Sequence, residues 1–297
     1  MTPLLEIRDL RTYYPIRRGL FARTVGAVRA VDGVNLTLQA GETVGIVGES
    51  GCGKTTLART ILRLERPHTG EIRIDGVDIA TLRGAALKAF RRQVQVVFQD
   101  PFASLNPRHT VLDLVTEGML AHGLATPANR RAQAARLLED VGLGADLLDR
   151  YPHAFSGGQR QRIAIARALS LGPRLLICDE AVSALDLSVR AQILNLLADL
   201  RARHGLAYLF ITHDMAVVQH LADRIVVMQR GRVVEAGPAE QLLANPAHPY
   251  TRELLAAVPR PGKPRAPAPD DPSDPSDPSD PSDPSSQAAF CSGVSTQ

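Results

Sequence analysis

Gly48-Glu49-Ser50-Gly51-Cys52-Gly53-Lys54-Thr55-Thr56 fits the spacing G-x-x-x-x-G-K-[ST], and it stands where that spacing has physical meaning, between a strand and a helix. Upstream, Thr43-Val44-Gly45-Ile46-Val47 is short, apolar and β-branched, the pattern of a buried strand. Downstream, Leu57, Ile61, Leu62 and Leu64 recur at helical spacing. Gly48, Gly51 and Gly53 let the backbone turn its N–H groups inward, and the first turn of the following helix adds unpaired donors. The whole loop, with Glu49, Ser50, Cys52 and Thr56, is therefore expected to wrap a nucleotide polyphosphate. Lys54 is expected to reach the β- and γ-phosphates and Thr55 to ligate Mg²⁺.

Working outward, Leu175-Leu176-Ile177-Cys178-Asp179-Glu180 is a second buried strand that delivers two adjacent carboxylates at its end. Asp179 can bind Mg²⁺ or its water, and Glu180 can orient and deprotonate a water attacking the γ-phosphate. Val94-Gln95-Val96-Val97-Phe98 places Gln99 at another strand end, where open α/β sheets hold ligand-contacting residues. Ala207-Tyr208-Leu209-Phe210-Ile211 ends in Thr212-His213-Asp214, with His213 placed to donate to a γ-phosphate oxygen. Ser156-Gly157-Gly158-Gln159 leads straight into a helix; Ser156 is a plausible N-cap, and the glycines leave amides open for a second phosphate-sized anion.

The remaining segments frame these strands. Stretches within residues 4–10 and 28–39 read as antiparallel strands ahead of the loop. Residues 17–25 show no periodicity and read as an exposed excursion. Tyr13 or Tyr14 could stack on adenine. Residues 100–155 are helical with proline breaks, a helical insertion in the sheet rather than a separate domain. Within them Ala134, Leu137, Leu138 and Val141 share one helix face, and Gly142 follows as a C-cap. From residue 263 to 297, repeated Asp-Pro-Ser offers no apolar surface to offset ordering, so this tail is expected to be disordered.

Bulk properties exclude several classes. The 297 residues, 44% apolar and 22% charged, suit a soluble globular chain, and a net charge of +3 gives no argument for nucleic acid. No stretch approaches the roughly 18 consecutive apolar residues of a membrane span, and Glu6, Arg8 and Asp9 interrupt any leader-like run. A cytoplasmic protein is expected, with any membrane link made through a partner. Cys52, Cys178 and Cys291 lack the spacing of a zinc site or a disulfide framework.

Taken in this order, residues 48–55, Gln99, 156–159, 175–180, Ser183-Ala184-Leu185-Asp186 and His213 resemble the Walker A loop, Q-loop, signature, Walker B, D-loop and switch histidine of ABC transporter ATPases. The resemblance covers about residues 4–258. It implies an α/β P-loop NTPase fold with an antiparallel β subdomain, a RecA-like core and an inserted α-helical subdomain. The ATPase domain spans 1–262, its helical subdomain about 100–155 and a family-type C-terminal segment about 236–262. It also implies ATP and Mg²⁺ as ligands, with Gln99 near the metal, Tyr14 as the adenine-stacking aromatic, and Ser156 and Asp186 facing the nucleotide of a second subunit.

Two stretches, Gln99-Asp100-Pro101-Phe102-Ala103-Ser104-Leu105-Asn106-Pro107-Arg108 and Asn245-Pro246-Ala247-His248-Pro249-Tyr250-Thr251, are similar to the ATPases of dipeptide, oligopeptide and nickel importers. That family pairs two ATPases, usually non-identical, beneath two permease subunits fed by an extracytoplasmic binding protein, at the cytoplasmic face of the membrane. Members with a C-terminal iron-sulfur cluster carry several cysteines there, whereas this chain has only Cys291. The rival expectation is a soluble ABC ATPase acting on nucleic acid or ribosomes. Such relatives usually join two cassettes in one chain or carry a long coiled coil, and neither feature is present.

Overall fold

The computed structural model describes residues 2–18, 23–100 and 104–257. Its centre is a six-stranded sheet in the order β10-β9-β3-β8-β7-β6. The strands are β3 (Thr43–Val47), β6 (Val94–Val97), β7 (Leu175–Asp179), β8 (Ala207–Thr212), β9 (Arg224–Gln229) and β10 (Arg232–Pro238). β3, β7 and β8 are buried at every position, as continuous apolar runs in a parallel sheet covered on both faces must be. Only β10 runs antiparallel to its neighbour.

Register matters most for function. Val47 pairs with Thr212 on β8 and Val227 on β9, Asp179 pairs with Ile211, and Val97 pairs with Cys178. The carboxyl ends of β3, β6, β7 and β8 are thus level. The residues that follow them, Gly48, Gln99, Glu180 and His213, emerge along one edge.

A second sheet, β2-β1-β4-β5, is antiparallel and comprises β1 (Leu5–Arg18), β2 (Arg23–Leu38), β4 (Thr69–Ile74) and β5 (Val77–Asp78). One expectation fails here. Of residues 17–25, read as an excursion, the described ones are strand: β1 continues to Arg18 and β2 begins at Arg23, with Arg18 paired to Arg23. The alternation that would betray a strand has no burial to impose it at the described side chains that border this stretch. Ile16, Val25 and Val28 are 40%, 59% and 54% exposed, so burial imposes no period of two.

Helix α1 (Lys54–Ile61) leaves the loop at Gly53 with no side-chain N-cap, and buries Leu57, Ala58 and Ile61. α2 (Gly84–Gln93) precedes β6. The helical block comprises α3 (Val111–Ala121), capped by Thr110 accepting from the Asp113 amide, α4 (Arg130–Asp140) and α5 (Gly157–Leu169). Ala134, Leu138 and Val141 are fully buried, and Gly142 turns the chain after α4 with φ +71°, a backbone that a Cβ disfavours. Their core is continuous with the sheet: Leu138 and Ile163 belong to the same buried cluster as Val97, Leu176 and Phe210. The block therefore shares one buried core with the sheet.

α6 (Leu187–His204) ends at Gly205 with φ +63° and feeds β8; α7 (Met215–Leu221) follows His213, with the Asp214 carboxylate accepting from the Ala216 amide. The β9–β10 hairpin then leads to α8 (Ala239–Ala244) and α9 (Pro249–Ala256). Cys178 is a buried core thiol whose pKa burial pushes up. The expected disorder of 263–297, and Cys291 within it, lie outside the described residues.

Candidate functional site

The loop after β3 is braced from behind by several elements. The Gly231 amide donates to the Cys52 carbonyl at 2.8 Å, tying the loop to the β9–β10 turn, and the Asp32 amide donates in turn to the Gly231 carbonyl at 2.8 Å. Gly53 has φ +110°, and a Cβ there would lie 1.9 Å from the Ala30 carbonyl oxygen of β2. Gly48 is equally confined, its Cβ position 2.2 Å from the Met228 carbonyl oxygen. Gly51 is different: φ is +79°, yet nothing lies within 4 Å.

These facts give a graded prediction. Gly53→Ala meets both backbone strain and a backbone clash that cannot rotate away, and should weaken ATP binding by about tenfold or more. Gly51→Ala meets the strain alone and should lose less. Equilibrium titration with a fluorescent ATP analogue, beside thermal melts, checks the order.

Lys54 is 4% exposed, and its Nζ donates across the loop to the carbonyls of Gly48 at 2.7 Å and Glu49 at 2.8 Å. An ammonium so held faces the loop mouth as a fixed positive charge. Thr55 Oγ1 donates to Asp179 Oδ1 at 3.3 Å, bringing the hydroxyl and carboxylate expected at the metal together. Burial pushes the Asp179 carboxyl above the ordinary carboxylate range; the Thr55 hydroxyl opposes the rise and the neighbouring Glu180 adds to it.

Glu180 adopts φ +51°, unusual for a residue with a Cβ. Its amide donates to the Ile211 carbonyl at 2.8 Å, and its carbonyl accepts from the Ser183 hydroxyl at 2.9 Å. So pinned, the carboxylate reaches His213: Nδ1 and Glu180 Oε1 are 3.2 Å apart. The two groups predicted separately from β7 and β8 are thus in direct contact.

A cavity of about 460 Å³ above the loop is lined by Val28, Ser50, Lys54, Thr56, Gln99 and Glu180, among others. Gln99 and Thr55 also line the adjoining cavity, which Asp179 enters from β7. Tyr13 is committed elsewhere, its hydroxyl donating to Asp32 Oδ1 at 2.6 Å. Tyr14 pairs with Val28 and Tyr13 with Arg29, and both of those partners line the cavity, whereas neither tyrosine does.

Ser156, Gly157, Gly158, Gln159 and Asp186 line none of this space. They stand at the starts of α5 and α6. Ser156 is the N-cap of a reciprocal box: its Oγ accepts from the Gln159 amide at 3.4 Å, and Gln159 Oε1 accepts from the Ser156 amide at 3.1 Å. Sequence reasoning missed the bracing by Ala30 and Gly231. It also missed Tyr250, whose hydroxyl accepts from the Glu49 amide at 2.9 Å.

A glycine loop at the carboxyl edge of a parallel sheet, strand-end carboxylates beside it and a helical block packed on the same sheet define a P-loop nucleotide-binding cassette. The ABC transporter family profile matches residues 31–183, and the oligopeptide/dipeptide transporter C-terminal region matches residues 234–290. The chain belongs to the ABC transporter family, as an ATP-binding and ATP-hydrolysing subunit.

It is 52% identical over 257 residues to the oligopeptide transport ATP-binding protein AppF of Bacillus subtilis (strain 168), covering 86% of this chain and 78% of AppF. It is 53% identical over 257 residues to the glutathione import ATP-binding protein GsiA of Escherichia coli (strain K12), covering 86% of this chain but 41% of GsiA. The ATP-binding cassette MJ0796, in a dimeric post-hydrolysis state bound to ADP and Pi, superposes with a TM-score of 0.69 at 30% identity, over 79% of this chain and 98% of that one.

ATP-binding subunits of importers work with separate permease subunits. Among the described residues, no helix is long and apolar enough to cross a membrane. None of these relationships supports the rival reading of an ATPase acting on nucleic acid.

Proposed function

We propose that this chain energises the uptake of dipeptides, oligopeptides or related solutes such as nickel complexes, hydrolysing Mg²⁺-ATP as a peripheral subunit at the cytoplasmic face of the membrane. Its partners are a second, non-identical ABC ATPase and two permease subunits, with an extracytoplasmic binding protein supplying solute. The observation that carries the solute class is the match of residues 234–290 to the oligopeptide/dipeptide transporter C-terminal region, which AppF's name supports.

The donor set suits Mg²⁺: the Thr55 hydroxyl, the Gln99 side-chain oxygen and the Asp179 carboxylate are all hard oxygen ligands. Bound there, the ion supplies neutralisation of phosphate charge. The remaining work falls to the chain. Loop amides of residues 50–55 hold the phosphates, Lys54 counters charge on the β- and γ-phosphates, and Tyr14 covers the adenine. Glu180 takes the proton of the attacking water as a general base. His213 orients that carboxylate through Nδ1, which leaves Nε2 to face a γ-phosphate oxygen. Ser156, Gly157, Gly158, Gln159 and Asp186, remote from this loop, serve the nucleotide of the neighbouring subunit.

Gln99 joins the nucleotide cavity to the one lined by Phe98, Asp100, Ser104 and Arg167, and so is placed to report the γ-phosphate to the permease. Gln99→Ala is expected to reduce ATP-driven peptide uptake in reconstituted vesicles several-fold while ATP affinity changes little. If affinity falls in proportion to uptake, Gln99 is a nucleotide ligand without a coupling role.

A further inference from the structure

The C-terminal segment reaches the phosphate loop directly. β10 carries Glu235, whose carboxylate accepts from the amides of Ala247 at 2.8 Å and His248 at 3.1 Å. His248 in turn caps α9, its Nδ1 accepting from the Tyr250 amide at 3.2 Å. This anchor fixes the first turn of α9. Tyr250 is consequently aimed inward: it is 4% exposed and packs in a cluster with Val47, Val218, Ile225 and Leu242. Val47 is the last residue of β3, so the ring sits beneath the point where the loop begins. From there the hydroxyl accepts from the Glu49 amide. Glu49 is also the residue whose carbonyl accepts from Lys54 at 2.8 Å and from the Cys52 amide at 3.3 Å. One peptide segment is thereby held on its amide side by Tyr250 and on its carbonyl side by the catalytic lysine.

We propose that Tyr250 is a positioning residue for the phosphate loop, through which the C-terminal segment sets ATP affinity. Its hydroxyl fixes the plane of the peptide that holds Lys54, so the ammonium and the inward-facing amides are arranged before nucleotide arrives. Pre-arrangement of this kind acts on binding more than on the chemical step, because ordering the loop is part of the free energy of binding. Burial pushes the Tyr250 phenol above its ordinary value, so the acceptor is a neutral hydroxyl throughout the physiological range. The proposal rests on the ATP-binding reading of the loop.

The test uses the full chain and four variants: Tyr250→Phe, Tyr250→Ala, Leu242→Ala and Lys54→Ala. Mg-ATP affinity, KM, kcat and melting temperature are measured for each. Tyr250→Phe keeps the buried ring and removes one hydrogen bond, so its melting temperature should stay close to that of the unaltered chain. Its Kd and KM should rise about two- to tenfold with kcat held within twofold. Tyr250→Ala should weaken binding further and lower the melting temperature. Leu242→Ala, which opens the same cluster without touching the loop, should lower the melting temperature with KM unchanged. The proposal is overturned if Tyr250→Phe binds ATP like the unaltered chain, if its loss appears in kcat rather than KM, or if Leu242→Ala raises KM as much. Lys54→Ala separates the two levels: if it still binds ATP normally, the reading of the loop itself is wrong.

Discussion

Replacing Glu180 by Gln is expected to slow cleavage of bound ATP by about 10² to 10⁴ while leaving ATP affinity nearly unchanged. The amide keeps the size of the carboxylate and can still meet His213 Nδ1, which lies 3.2 Å from Oε1, but it cannot accept a proton from water. The backbone that aims it is held by Ile211 and Ser183 and is indifferent to the substitution. The site's other charged groups, Lys54 and Asp179, are also untouched, so the loss falls on the chemical step. Single-turnover cleavage of γ-labelled ATP, beside equilibrium binding, separates the two. Unchanged cleavage would remove Glu180 from its role.

The second large effect is on assembly. With hydrolysis blocked, bound ATP should hold the Glu180→Gln chain and its partner ATPase in a closed dimer, visible by light scattering or sedimentation. The reason is geometric: Ser156 does not line the cavity over its own phosphate loop, yet it caps the N-terminus of α5, the end of a helix that favours a phosphate. On the proposed function, that phosphate belongs to a second nucleotide held by another subunit. Adding Ser156→Arg introduces bulk at that helix start and removes the Ser156–Gln159 box, and the ATP-induced dimer should disappear while the isolated chain still binds ATP. A dimer persisting in the double variant would take Ser156 out of the interface.

Much of this arrangement was legible from residues because the buried strands are self-announcing. β3, β7 and β8 are unbroken apolar runs, and level register carries the residues just past them to one edge. Gly53 likewise declared itself by motif, and the structure supplies the reason in the Ala30 carbonyl behind it. Three features had no local signal. Ile16, Val25 and Val28 are exposed, so no burial pattern marked the strands where they run past the core. Glu180 is not a residue that favours positive φ, and its turn is held by a bond to Ile211 on β8 as well as by Ser183 close by. The Tyr250–Glu49 bond joins positions 201 apart, and nothing in the neighbourhood of either residue points to the other. The commitment of Tyr13 to Asp32, which bears on the choice between Tyr13 and Tyr14, is likewise a tertiary contact without a local signal.

The central claim is that ATP cleaved at this loop drives solute movement through separate permeases. It is tested most directly by measuring labelled-peptide uptake and phosphate release together, in vesicles holding the complete assembly with ATP on the side of the ATPases. With the unaltered chain, uptake against a gradient should require ATP and rise in step with phosphate release. With Glu180→Gln, both should fall together. Uptake continuing at the unaltered rate while phosphate release from the assembly is lost would contradict the account.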